Sequence, residues 1–144
     1  MNHSPAKVLA EAIISASLGS DVHDHAEWPV VDEFMPDLPD GIIAVYSTSG
    51  LAGTKGMKTG GRSSKPGFEI LVRAMENDDA WQKIEAVSNW LSKTLKRTVV
   101  SVEEISYRIE SITLVGTTTF IGLETEGKRR PLFSLNGRVT ISQI

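Results

Sequence analysis

The sequence predicts an α+β domain, a mixed and largely antiparallel β-sheet covered by two main helices, with a long mobile basic loop between the first two strands. Three observations carry this expectation. Two stretches place apolar residues at helical spacing, several β-branched runs bounded by turn residues separate them, and the composition changes abruptly between residues 50 and 67. The length of 144 residues suits one domain over residues 1–144. A chain of that size buries roughly 68 to 70% of its unfolded surface without a disulfide or metal staple.

The elements follow in order. Ser4 can cap a helix with Pro5 in its first turn; Val8, Leu9, Ala12, Ile13 and Ala16 then recur at helical spacing until Gly19, so a helix is expected over residues 5–18. Residues 20–40 carry Asp21, Asp24, Glu27, Asp32, Glu33, Asp37 and Asp40, no Lys or Arg, and prolines at 29, 36 and 39. That composition reads as an extended acidic connection. The apolar run 41–47 reads as a buried strand. Residues 50–67 hold Lys55, Lys58, Arg62 and Lys65, no acid and six glycines, which predicts the mobile loop. A second strand at 68–73 then pairs antiparallel with the first.

Asn77 or Asp78 caps the second helix. Its stripe of Trp81, Ile84, Val87, Leu91 and Leu95 should face the core, with Lys83, Glu85 and Lys93 on the far side and Trp90 at the shoulder. A short strand at 99–102 precedes a longer one at 105–115, where Ile105, Tyr107 and Ile109 alternate with Ser106, Arg108 and Glu110. Its phase blurs at Ile112 and Leu114, which predicts a bulge or a change of buried face. Residues 120–123 add a short segment, 126–128 a turn, and 131–141 a last strand in which Gly137 marks a bulge.

Charge and composition exclude several functions. The net charge is −3, which argues against a generally basic nucleic-acid coat. Without cysteine there is no disulfide framework, zinc-cysteine site, iron-sulfur cluster or cysteine nucleophile. No segment reaches the ~18 apolar residues of a membrane span, and residues 1–7 lack a secretory pattern. Neither a membrane nor a cofactor is expected.

His23-Asp24-His25 places two imidazoles on the same side of an extended segment. A metal-dependent enzyme using His23 and His25 is therefore one reading, set against polar residues in a solvated connection. The glycine-rich loop fails the spacing of a phosphate-binding loop and reads better as a surface that orders on contact with protein or DNA. Glu103-Glu104 and Glu124 with Glu126 read as solvated turn and strand-edge carboxylates rather than a catalytic pair. Neither a nucleophile elbow nor a His-Glu-x-x-His motif is present, so no catalytic or metal residue is assigned. Phe68 and Trp81 are expected in the core, and Trp28 is a candidate interface anchor.

The order of residues resembles a known family. Pro39-Asp40-Gly41-Ile42-Ile43-Ala44-Val45-Tyr46-Ser47-Thr48-Ser49-Gly50, then Pro66-Gly67-Phe68-Glu69-Ile70-Leu71-Val72-Arg73-Ala74, then a helix bearing alanine and tryptophan, is similar to the tail terminator proteins of long-tailed bacteriophages, also described as minor capsid or head-tail joining proteins. Ile121-Gly122-Leu123-Glu124-Thr125-Glu126-Gly127-Lys128-Arg129 and Leu132-Phe133-Ser134-Leu135-Asn136-Gly137-Arg138-Val139 resemble that family's ending. The likeness runs over about residues 5–141. It departs at Ser47 and Ser49, in a turn where relatives often carry Asp and Gly, and at Gly137, where they carry an aromatic residue.

The resemblance implies a structural virion protein at the tail-neck junction, assembled in the host cytoplasm. It implies a homo-hexameric ring that caps the major tail tube protein, stops tube polymerisation and meets the head connector or adaptor. Genomic DNA would pass through the lumen without sequence-specific binding. A neck adaptor or stopper ring is the neighbouring alternative. Within this reading Lys55, Lys58, Arg62 and Lys65 form the tube or inter-protomer interface. Asp21, Asp24, Asp32, Glu33 and Asp37 supply complementary acidic charge.

Overall fold

A computed structural model describes residues 3–21, 27–55, 62–93, 98–124 and 127–144. The order is α1 (Pro5–Ser15), β1 (Ser20–Asp21), β2 (Pro29–Asp32), β3 (Ile42–Lys55), β4 (Arg62–Arg73), α2 (Asn77–Lys93), β5 (Val99–Val102), β6 (Ile105–Leu114), β7 (Thr119–Leu123) and β8 (Pro131–Gln143). The eight strands form one sheet in the order β1-β2-β3-β4-β8-β6-β5, with β7 also paired to β8. Among the described residues only β1-β2 and β2-β3 are parallel. The expected α+β class with a largely antiparallel sheet and two helices is the one observed.

Both helices pack on one face of the sheet. Leu9, Ile13, Ile84, Val87 and Leu91 share a cluster with Ile43, Val45, Phe68, Ile70, Val72, Tyr107, Ile109 and Leu135. The alternate residues Ile42 and Ala44 face the other way, into a small cluster with Val31, Met35, Tyr46 and Leu71. Strand β3 is thus buried on both faces where its sequence is continuously apolar.

Helix α1 begins as expected, with the Lys7 N–H donating to Ser4 Oγ at 3.2 Å and Pro5 in the first turn. It ends earlier than expected. Ser17 adopts φ 61°, and the Ser17 and Leu18 N–H groups donate back to Ile14 and Ile13. This is a left-handed cap formed by a serine where Gly19 was expected to act. Gly19 serves instead to let the backbone pass β2: an added Cβ would clash with the Val30 side chain and lie 2.8 Å from the Trp28 carbonyl.

The acidic connection contains structure that its prolines and charges concealed, since β1 and β2 lie within it. The long loop is also shorter than expected. Strands β3 and β4 continue into residues 50–67 and stay paired through Leu51↔Lys65, Ala52↔Ser64 and Lys55↔Arg62. Residues 56–61 lie outside the described structure. Among the described residues, the two strands beyond Thr48 and Gly67 pair only with each other, because β2 reaches only Val45 and β8 only Gly67.

Strand β6 shifts register between Ile109 and Ser111, where the phase change was expected. Strands β6 and β7 follow one another along the same edge of β8, at Gly137 to Gln143 and at Pro131 to Ser134. Gly137 is not at a bulge, since its pairing with Phe68 and Leu114 is in register. An added Cβ there would meet Phe68 Cζ at 2.6 Å and the Thr113 carbonyl at 2.7 Å, so close packing explains the glycine. On α2, Trp81 is 44% exposed rather than core, its ring against Phe133, and Ala80 holds the buried position. Leu95 lies outside the described residues.

Candidate functional site

The charged end of the sheet is built by the turn before β3. Residues 36–40 wrap the Arg73 guanidinium at the end of β4. Arg73 donates to the carbonyls of Pro36 (2.7 Å), Pro39 (2.8 Å), Asp37 (3.1 Å) and Asp40 (3.2 Å). Beside it Arg130, at the start of β8, donates through Nε to Glu124 Oε1 (2.6 Å). Its Nη1 reaches Asp40 Oδ1 (2.8 Å) and the Asp37 carbonyl (2.7 Å), and its Nη2 reaches Asp37 Oδ1 (2.9 Å). Lys128 Nζ adds a contact to Asp40 Oδ1 at 2.9 Å. Both arginines are only 2% exposed. Burying two guanidiniums is sustained here because their N–H donors meet carbonyls and carboxylates, as buried charge requires.

The electrostatics follow from that geometry. The Arg130 hydrogen bond holds the Glu124 carboxyl below its ordinary range, and the Lys128 hydrogen bond does the same for Asp40. The hydrogen bond to Glu124 raises Arg130 further. Burial lowers Arg73, with the Arg130 charge adding to it. This cluster pins four separate segments together: the 36–40 turn and the ends of β4, β7 and β8. The expectation that Glu124 is a solvated carboxylate is corrected, because it is the main anchor of Arg130. The signal in the sequence was the unbroken apolar run at Ile42–Val45, which required a cover on its second face; Val31 and Met35 supply it.

A groove of about 790 Å³ opens beside this end, lined by Glu27, Trp28, Pro39, Asp40, Gly41, Met75, Asp79 and Lys83 among others. Trp28 is half-buried with φ 57° and packs on the core. Its ring lies under Lys83 Nζ, 5.1 Å from the centroid. Lys83 also donates to the Leu18 carbonyl at 2.9 Å, and burial lowers its pKa. It was expected on the outer face of α2; its long stem instead lets the ammonium cross the rim of the core.

The remaining site residues fall as follows. Lys55 and Arg62 are backbone partners at the far end of β3 and β4, and Lys65 is exposed at the position paired with Leu51. Lys58, Asp24, His23 and His25 lie outside the described residues. Asp21 ends β1, Asp32 ends β2, and the Glu33 carboxylate accepts the Ser47 N–H at 3.0 Å. Asp37 belongs to the arginine cluster. Each chain therefore keeps Asp37 at one end of β3 and Lys55 at the other.

His3 shares a 2.6 Å hydrogen bond with the Tyr107 hydroxyl and pairs with Glu103 at 3.0 Å. Glu103, at a turn with φ 47°, is held below its ordinary pKa chiefly by that histidine. Among the described residues no group of three or more side chains could hold a metal ion. No helix among them is long and apolar enough to cross a membrane.

A run of exposed apolar residues lies at the open edge of β7. Phe120, Ile121 and Leu123 are 51%, 53% and 49% exposed, and the Phe120 ring continues a stack through Phe133 to Trp81. A family model described as bacteriophage tail terminator protein matches residues 12–138. The chain belongs to this family. A tail terminator is a structural component of the phage virion. Among solved structures, a chain from the "virion of native gene transfer agent (GTA) particle" is 17% identical with a TM-score of 0.47, covering 80% of this chain and 78% of that one. A second is 14% identical with a TM-score of 0.45, covering 93% and 89%. No curated protein matches the chain.

Proposed function

We propose that the protein is the subunit of a hexameric ring that closes the phage tail tube, stops addition of tube subunits and presents its other face to the head connector. Beyond family membership, the observation that carries this reading is the apolar open edge of β7, since strand edges and apolar patches of this kind mark sites of pairing with another chain. The β3–β4 ribbon is the second assembly element, and Lys55, Lys58, Arg62 and Lys65 are its contacts to a tube subunit or ring neighbour. Asp21, Asp24, Asp32, Glu33 and Asp37 provide the opposing charge, and Trp28 anchors the contact. Ring closure at the tail-neck junction leaves a lumen through which DNA passes.

The test is negative-stain microscopy of the protein alone and mixed with tubes, together with capture by candidate partners. Rings with a central hole and capture of the major tail tube protein are expected. Capture of portal or adaptor alone would assign the ring to the neck.

A further inference from the structure

We infer that the basic ribbon of one copy docks into the groove over Trp28 of the next copy, head to tail. This deepens the ring reading and rests on it. The two surfaces stand at opposite ends of the same strand. Gly41, just before β3, lines the groove, and Lys55 ends β3 at the far side of the ribbon. Over a strand of 14 residues that separation is roughly 40 Å at about 3.3 Å per residue, so ribbon and groove meet only between copies.

Charge selects the occupant. The ribbon segment 50–67 carries four cations and no acid. The groove presents carboxylates from Glu27 and Asp79, Asp40 at its margin being already paired with Arg130 and Lys128, while its lining cation, Lys83, is directed onto Trp28 and the Leu18 carbonyl. Trp28 and Met75 supply apolar surface along which lysine and arginine stems can lie. A contact between two different patches of identical chains is heterologous, and such contacts generate rings when the rotation closes.

Three variants of the full chain test the docking by sedimentation velocity at low and high salt, and by counting copies bound at tube ends. Reversing the groove (Glu27→Lys with Asp79→Lys) or the ribbon (Lys55→Glu, Arg62→Glu and Lys65→Glu) should each weaken association about tenfold or more at low salt. Combining both sets in one chain should restore association to within about threefold, since each reversed ribbon meets a reversed groove.

A second measurement uses the absence of native cysteine: a Lys55→Cys chain mixed with a Gln82→Cys chain should form a disulfide between chains, and Lys55→Cys mixed with Ser92→Cys should not. A groove reversal without effect, a combined variant that stays dissociated, or absence of the selective disulfide overturns the docking. If rings still form in those cases, or the ribbon alone proves to hold tube subunits, the terminator reading survives and only the seat is wrong. A wild-type chain that associates neither free nor on tubes overturns both.

Discussion

At the Ile42/Arg73 end of the β3–β4 pair, Arg73, Lys128 and Arg130 meet Asp37, Asp40 and Glu124 within one chain. At the Lys55/Arg62 end the same two strands leave the sheet and pair only with each other. Opposite charges at 36–40 and 124–130 are used for folding, whereas Lys55 and Arg62 pair at the opposite end of the two strands. The difference separates two uses of charge along one hairpin. One end fixes the subunit, and the other is the end we propose for a neighbour.

Changes at the two ends should therefore read out differently. The largest stability loss is expected from Arg130→Met, which leaves Glu124, Asp40 and Asp37 around a vanished guanidinium. Removing one member of a buried charge set costs about 3 to 5 kcal/mol. The low end applies, because Asp37 is 89% exposed and can regain water. Urea denaturation would show it as a lowered midpoint. Gly137→Ala comes next, at about 1 to 3 kcal/mol for overpacking against Phe68 and Thr113, read the same way.

The pH dependence sharpens the comparison further. Glu124 and Asp40 are depressed in the folded state, so their contribution is complete above the unfolded values, near 4.5 and 3.8, and is lost as pH falls through the lower folded ones. Stability should decline below about pH 4.5, and Glu124→Gln should flatten that decline in urea midpoints measured between roughly pH 3 and 6. Replacing Lys55, Arg62 and Lys65 by alanine should change stability by no more than about 0.5 kcal/mol, within the range of surface substitutions, while assembly is lost. A marked stability loss from that variant would show that the ribbon's charges act within the chain.

Much of the fold was legible because periodicity reports burial directly. The cap at Ser4, the stripe Ile84-Val87-Leu91 and the phase change after Ile109 each correspond to an observed feature. The failures have a common physical cause. Strand pairing can propagate through glycine-rich, polar sequence once its register is set by neighbours, so β3 and β4 run on past the apolar residues that signal them. Asp37 and Asp40 were read as part of an acidic connection because their partner, Arg130, lies 93 and 90 residues away in sequence, whereas Glu124 is only six residues from Arg130 and was missed because nothing in that short span signals burial of the guanidinium. The terminator family was visible in residue order, but the groove over Trp28 was not, since its walls come from three distant segments.

In the proposed ring this subunit closes tails through its basic ribbon. The most direct test of that closure is the tail-length distribution, by electron microscopy, of phage whose protein carries alanine at Lys55, Lys58, Arg62 and Lys65. Over-long or uncapped tails with a normally folded subunit are expected. Capped tails of normal length would contradict it.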